Sequence, residues 1–257
     1  MVTDDSDLMT SPQAVVSFSR DYARGDQLPF HQHRKAQLVY ANRGTMTVRT
    51  GDASYVVPPQ RAVWVPSNVE HGIEARSAFS MRSLYLDPDQ VGGLPEKVRV
   101  LQVSPLLREL IAAVVVAGND YAPDGEVARM MAVIIDHIRV QPSAGALTLP
   151  LPSDSRLLRI AQALIDNPSD PRDLAQWARE VGASPRTLNR LFPAQTGMTF
   201  RDWRQQRRML RALELLAGGV RVTDVALELG YESSSAFIAM FRRSLGTTPK
   251  RYFDAIP

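Results

Sequence analysis

A pattern repeated 48 residues apart constrains the C-terminal part of the chain more than any other feature. The first copy reads Leu174-Ala-Gln-Trp-Ala178-Arg-Glu-Val-Gly182 and runs on through Ser184-Pro185, Leu188 and Phe192 to Gly197. The second reads Val222-Thr-Asp-Val-Ala226-Leu-Glu-Leu-Gly230 and runs on through Ser233 to Ser235, Phe237 and Phe241 to Gly246. The offset becomes 49 after the glycine, so the second copy holds one extra residue in its turn. Each repeated position has a physical reason. Small Ala178 and Ala226 let two helices cross closely. Gly182 and Gly230 fall where the first helix must end with a positive φ. Ser184-Pro185 caps the second helix and supplies its first turn, and the serines at 233–235 serve the second copy in the same way. Leu188 and Phe192, like Phe237 and Phe241, are four apart and face the core of their own unit.

Two short helices joined by a tight turn form a helix-turn-helix, whose second helix enters the DNA major groove. The tandem spacing makes the pattern specific. The charge distribution agrees with it. Residues 154–257 hold 16 Lys+Arg against 11 Asp+Glu, and 15 of those cations are Arg. Residues 1–153 hold 14 against 16. Arg is the side chain best suited to bidentate phosphate and guanine contacts.

Residues ~154–254 resemble the DNA-binding domain of the AraC/XylS family of bacterial regulators, through SPRTLNRLF, FRDWRQQRRMLRALELLAGG, VTDVALELGYESSSAF and FRRSLGTTPKRYF. The resemblance implies units at about 174–195 and 222–244, joined by a long helix that Thr199 caps and Gly218-Gly219 ends. It implies a base-reading set of Arg186, Thr187, Asn189 and Arg190 in the first unit and Ser234, Ser235 and Ala239 in the second. Ala239 and Ile238 depart from the more polar family pattern, so the second unit either reads thymine methyls or mostly clamps phosphate. Pro193 removes an amide near the end of the first recognition helix, which predicts a tightened or kinked last turn. Arg204, Arg207, Arg208 and Arg211 on the joining helix are open to salt links with Glu214 or Asp202, or to phosphate contacts. Trp177, Trp203, Tyr231 and Tyr252 read as packing residues. Double-stranded DNA, RNA polymerase and a transcription-activating role follow as implications of the family.

The N-terminal part reads differently. Residues ~15–87 alternate apolar and polar residues in short runs, as in Thr45 to Arg49, a turn at Thr50 to Asp52, and Tyr55 to Val57. Many short, closely spaced strands predict an all-β barrel or sandwich. His31-x-His33, Gln37 and Gly44 resemble the first cupin motif, with Gln in place of Glu, and Pro66 to His71 resembles the second. On one strand, His31 and His33 project from the same face, and His71 on a partner strand can meet them. His31, His33 and His71, with Gln37 at the position of the fourth ligand, form a set suited to a divalent transition metal. A metal-free ligand pocket or packed histidines are the alternatives. Tyr40, Trp64 and Tyr85 are candidates for lining the barrel interior, as effector contacts or as core; His137 reads as a packing histidine.

Two helices follow within 104–140, the first opened by Ser104-Pro105 and the second over about 124–140. Both are apolar on more than one stripe, which predicts burial on more than one side. Packing on the β domain and a homodimer interface are equally open. Gln141 to Pro152, rich in Pro and small residues, reads as a linker over 141–153. The predicted fold is thus two domains. Residues 1–140 form an N-terminal all-β cupin-like barrel followed by two helices, and 154–254 an all-α domain with two helix-turn-helix units. The start, Met1 to Thr10, lacks the order of a secretion signal, and no apolar run reaches the ~18 residues of a membrane helix. With no cysteines, the expected compartment is the cytoplasm. The expected function is a DNA-binding regulator in which a small-molecule effector or metal in the barrel biases domain docking or dimerisation. The rival reading is a cupin dioxygenase or isomerase tethered to DNA. It is disfavoured because no paired carboxylates flank the motif and Gln37 is a poor general base.

Overall fold

The computed structural model describes residues 5–141 and 147–254. It divides into two compact units, Met1–Thr50 with Val57–Gly145, and Gly51–Val56 with Ala146–Pro257.

The first unit opens with a short helix, α1 (Asp5–Thr10), followed by β1 (Val15–Tyr22), β2 (Gln27–His31), β3 (Ala36–Arg43) and β4 (Met46–Thr50). Next in the chain is β5 (Ala53–Val57), and then β6 (Arg61–Val65), β7 (His71–Ala75), β8 (Phe79–Leu86) and β9 (Arg99–Gln102). Helices α2 (Pro105–Ala117) and α3 (Glu126–Val140) complete it. One sheet runs β1-β8-β3-β6-β9 and the other contains β4-β7-β2, and the pairings are antiparallel.

Strand parity decides what each face does, because successive side chains point to opposite faces. Gln37 stands opposite Val65 and Tyr85, so these share one face with Val39, Val63 and Ser83. The other face carries Leu38, Tyr40, Trp64, Leu84 and Leu86. It forms one core with Leu107, Ile111 and Val114 of α2 and Met131, Ile134 and Ile138 of α3. This explains why the first six residues of β3 are all buried rather than alternating: the sheet is covered on both sides. The free edge of β1 is also covered. Asn119 accepts from Ser17 N at 2.7 Å and donates to Ser17 O at 3.0 Å, while Tyr121 Oη donates to Val15 O at 2.6 Å. Side chains thus take the place of a further strand.

Ser104 caps α2 through Leu107 N at 3.2 Å, with Pro105 in the first turn. Of the two fates open to this helix pair, one stripe of each helix packs into the core. Leu106, Val116, Val133 and Val140 stay exposed. His137 is half-buried on α3.

In the second unit β5 pairs antiparallel with β10 (Thr148–Pro150), Thr148 opposite Tyr55 and Pro150 opposite Ala53. The expected linker over 141–153 therefore contains a strand, and its residues 142–146 lie outside the described residues. A strand from the N-terminal sequence also counts with the C-terminal unit, which a boundary drawn along the sequence cannot express. The helices are α4 (Ser155–Asp166), α5 (Leu174–Glu180), α6 (Pro185–Thr196), α7 (Phe200–Ala217), α8 (Val222–Glu228), α9 (Ser234–Leu245) and α10 (Pro249–Asp254). α7 buries Phe200, Trp203, Arg207, Leu210 and Leu213 along one stripe. Trp203 Nε1 donates to Pro150 O at 2.7 Å, anchoring β10 to the helical unit.

Candidate functional site

The duplicated pattern folds into two units with matching backbone hydrogen bonds. In the first, Gly182 N donates to Arg179 O at 3.3 Å and Ala183 N to Ala178 O at 2.8 Å. In the second, Gly230 N donates to Leu227 O at 3.0 Å and Tyr231 N to Ala226 O at 2.9 Å. Both are Schellman ends, and they need the positive φ seen at Gly182 (66°) and Gly230 (75°). Ser184 then caps α6 through Thr187 N at 3.1 Å, and Ser233 caps α9 through Ala236 N at 3.2 Å. Leu188, Phe192, Phe237 and Phe241 are fully buried. Pro193 does not end α6, which continues to Thr196.

Rigid capping fixes which side chains face out. On α6, Arg186, Asn189 and Arg190 are exposed. Thr187 is drawn into the cap, its hydroxyl 2.8 Å from Ser184 Oγ. On α9, Ser235 and Ala239 are exposed and Ser234 is half-buried. The same α9 face ends in exposed Arg242 and Arg243, absent from the sequence-derived set. Extending the Ser235, Ala239 row by three or four residues reaches them, and that signal was available.

Contacts divide the arginines of this unit into two groups. On α7, Arg204 donates to Arg172 O at 2.9 Å and Arg208 to Pro168 O at 2.9 Å. Arg207 and Arg211 both meet Glu214, at 3.5 and 3.1 Å. Of the two acids open to these arginines, Glu214 receives the links. Among the described residues none of Arg186, Arg190, Arg242 and Arg243 has an ion pair. Cations left exposed in this way remain available to phosphates and base edges.

The second constellation lies in the first unit. His31 ends β2 and stands opposite His71 on β7, while His33 lies just past β2 rather than on the strand, as the sequence suggested. The three rings still converge, with centroids 4.5, 5.2 and 5.7 Å apart. One ring nitrogen of each lies within 4.8 Å of the others. Each Nδ1 faces a backbone carbonyl: that of Pro29 at 2.8 Å from His31, that of Lys35 from His33, and that of Val69 at 2.9 Å from His71. This holds the proton on Nδ1 and leaves Nε2 as a lone pair, the arrangement of metal-ligating imidazoles. Burial pushes the His71 imidazolium pKa down to about 4, with His31 and His33 adding to the effect, so the ring is neutral near pH 7.

Gln37 completes the group. Its Oε1 lies 3.0 Å from His71 Nε2 and 3.3 Å from His33 Nε2, and its Nε2 donates to Ser83 Oγ at 3.1 Å. With the protons on Nδ1, these are acceptors facing an acceptor. A cation among them removes the conflict, and so does a turned-over amide with its NH₂ inward. The two Gln37 separations match neighbouring donors around one ion, which at bonds of ~2.1 Å stand ~3.0 Å apart in an octahedron and ~3.4 Å in a tetrahedron, while the imidazole nitrogens are gathered to within 4.8 Å of one another. The residues fit a divalent metal.

The aromatic candidates separate by parity. Tyr85 shares the Gln37 face, its ring 5.1 Å from His33. Trp64 and Tyr40 do not line that interior. They sit on the opposite face in the core with α2 and α3, where Trp64 Nε1 donates to Pro95 O at 2.9 Å. Residue 64 stands next to inward Val65 and so must point away. Burial pushes the Tyr40 phenol pKa up to about 12.

Residues 177–255 match a helix-turn-helix domain model, and residues 14–167 match an AraC-like ligand binding domain model. The chain is 37% identical over 242 residues to the HTH-type transcriptional regulator NimR of Escherichia coli (strain K12), covering 93% of this chain and 88% of that one. It is 25% identical over 226 residues to the virulence regulon transcriptional activator VirF of Yersinia enterocolitica, covering 84% and 79%. Among solved structures it is similar to ToxT from Vibrio cholerae O395, with 10% identity, a TM-score of 0.40, and coverage of 95% of this chain and 98% of that one. No helix among the described residues is long and apolar enough to cross a membrane.

Proposed function

Because the chain belongs to the AraC family of transcription regulators, we propose that it places α6 and α9 in successive major grooves of promoter DNA. Arg186, Asn189 and Arg190 read bases from α6. Ser234, Ser235 and Ala239 present the smaller α9 face, and Arg242 and Arg243 grip phosphate beside it. The observation that carries this reading is the pair of Ser-capped second helices whose exposed arginines have no ion pair among the described residues, while four of the five arginines of α7 are held internally. The 18 residues of α7 give a strut of ~27 Å at 1.5 Å per residue, of the order of one duplex turn, ~34 Å.

Fluorescence anisotropy on selected duplexes tests the proposal. Arg190→Ala should weaken specific binding by ~1–3 kcal/mol and relax preference at one base position. An unchanged sequence preference removes Arg190 from base reading.

In the sensor unit, His31, His33, His71 and Gln37 hold a divalent transition metal, supported by the orientation of their donors. A bound ion offers open coordination positions to a small effector, with Tyr85 on one wall. Effector occupancy alters promoter affinity by favouring one of two states of the protein. Exposed Leu106, Val116, Val133 and Val140 on α2 and α3 support a homodimer. The protein acts in the cytoplasm by binding rather than by turnover, and raises transcription through RNA polymerase, as the activator name of the Yersinia relative suggests. Elemental analysis of the purified full chain tests the metal: about one equivalent supports it, and none removes it.

A further inference from the structure

The donor set of the histidine site carries no negative charge. Its three imidazoles commit their Nδ1 protons to the carbonyls of Pro29, Lys35 and Val69, and its fourth donor is the neutral amide of Gln37. Among the described residues the group contains His31, His33 and His71 and no carboxylate. The described surroundings are mostly apolar. His71 and Gln37 are almost wholly buried; the Gln37 face carries Val39, Val63, Val65, Tyr85 and Ser83, and the His71 face of the other sheet carries Val48, Ile73 and Thr50. Both basic side chains between His33 and Gln37 are engaged elsewhere, Arg34 with Asp89 at 2.8 Å and Lys35 Nζ donating to the carbonyls of Ser11 and Gln13 at 3.0 and 3.1 Å. Asp87, the acid that acts on Lys35, is paired with Arg34 at 2.9 Å.

A divalent ion in such a site keeps its full double charge inside a low-dielectric wall. Uncompensated buried charge is costly, and the cheapest remedy is an anion that enters with the ligand. Four protein donors leave places for it in the six-coordinate shells common among Mn, Fe, Co and Ni. His31 and His33 are only partly buried, so the site has an open side. We infer that the effector is a small organic anion of the carboxylate class, bound through its oxygens to the metal and through its apolar body to the Tyr85 wall. This rests on the metal reading above and goes beyond it by naming the ligand's charge and donor atoms.

Full-length protein loaded with Co(II) provides the test, because its visible bands report the coordination shell directly. Titration with acetate should shift the bands saturably, while the isosteric neutral probe acetamide leaves them unchanged. Gln37→Glu places one negative charge in the shell and should weaken acetate binding by about tenfold or more. Co(II) that binds stoichiometrically but shows no acetate response, or an equal response to acetamide, overturns the anion inference and leaves the metal reading standing. Failure to bind Co(II) at all overturns both. Should Gln37→Glu not fold, the acetate and acetamide comparison on the unaltered chain still decides.

Discussion

Replacing Glu214 with Ala should destabilise the helical unit by about 3–5 kcal/mol. The carboxylate is 3% exposed and lies 3.5 Å from Arg207, itself 5% exposed, and 3.1 Å from Arg211. Arg207 also donates to Ile165 O at 3.0 Å, and Arg211 reaches Glu228 at 2.9 Å. The chain of charges therefore runs from the end of α4 across α7 to α8. Desolvation offsets most of the attraction within such a group, so its net contribution while intact is small. Removing one partner is different, because a nearly buried guanidinium then loses the carboxylate it faces. Arg211 is 24% exposed and keeps Glu228, so most of the cost falls on Arg207. In a unit of ~100 residues each 1 kcal/mol moves Tm by ~4–8 °C, and the loss reads as a fall of at least ~12 °C. Arg207→Met combined with Glu214→Leu removes the pair together and should return to within ~2 kcal/mol of the unaltered protein. Calorimetry of the full chain, following the transition of the helical unit, measures both. A Glu214→Ala cost under ~1 kcal/mol, or a double variant as unstable as the single one, would refute the argument that this ion pair is a burial problem solved jointly.

Gly44→Ala should be far more damaging than Gly182→Ala, although their φ values are 71° and 66°. A Cβ at Gly44 would stand 2.0 Å from Ala78 O and 2.8 Å from Phe79 Cβ, whereas nothing lies within 4 Å at Gly182. The first should cost ~3 kcal/mol or more through forced backbone displacement and the second ~1–2 kcal/mol of left-handed strain; equal losses in thermal unfolding would contradict this. In chelator-treated protein, the sensor unit should lose stability as pH falls from about 6.5 to about 4. The unfolded His71 takes up its proton first, while the folded ring resists until about 4, a difference of ~3 kcal/mol across that window. Hydrogen exchange of β7 follows it, and an unaltered pH slope in His71→Gln would show that another group is responsible.

Local order in the sequence governs how much of this could be read there. Ala178, Gly182 and Ser184 each act within a few residues of themselves, through a close crossing, a left-handed helix end and a cap, so their spacing is their structure. His31, Gln37 and His71 were legible for a related reason: motif spacing set by strand and turn geometry survives even though His33 lies beyond β2. For Trp64 and Tyr40 the core reading holds, but the face could not be read, because composition reveals that a run such as Ala62 to Val65 is buried but not which face holds which partner. In a sheet covered on both sides the apolar alternation that would reveal this is erased. The strand at 148–150 was hidden for the opposite reason, since a Pro-rich run has weak strand propensity and its ladder partner lies nearly a hundred residues earlier.

Charge shows the same division and bears on the interface itself. The excess of basic residues after 154 pointed towards nucleic acid, yet a count weights every arginine equally. Four arginines of α7 are held by backbone carbonyls or acids of their own unit, and Arg172 lies over Trp177 while paired with Asp170 at 2.6 Å. These cations stabilise the framework and have little left for a phosphate. The exposed arginines at the start of α6 and the end of α9 have no such commitment among the described residues. Their exposure on the two Ser-capped helices, more than the overall excess of charge, is what the proposed phosphate contacts rest on.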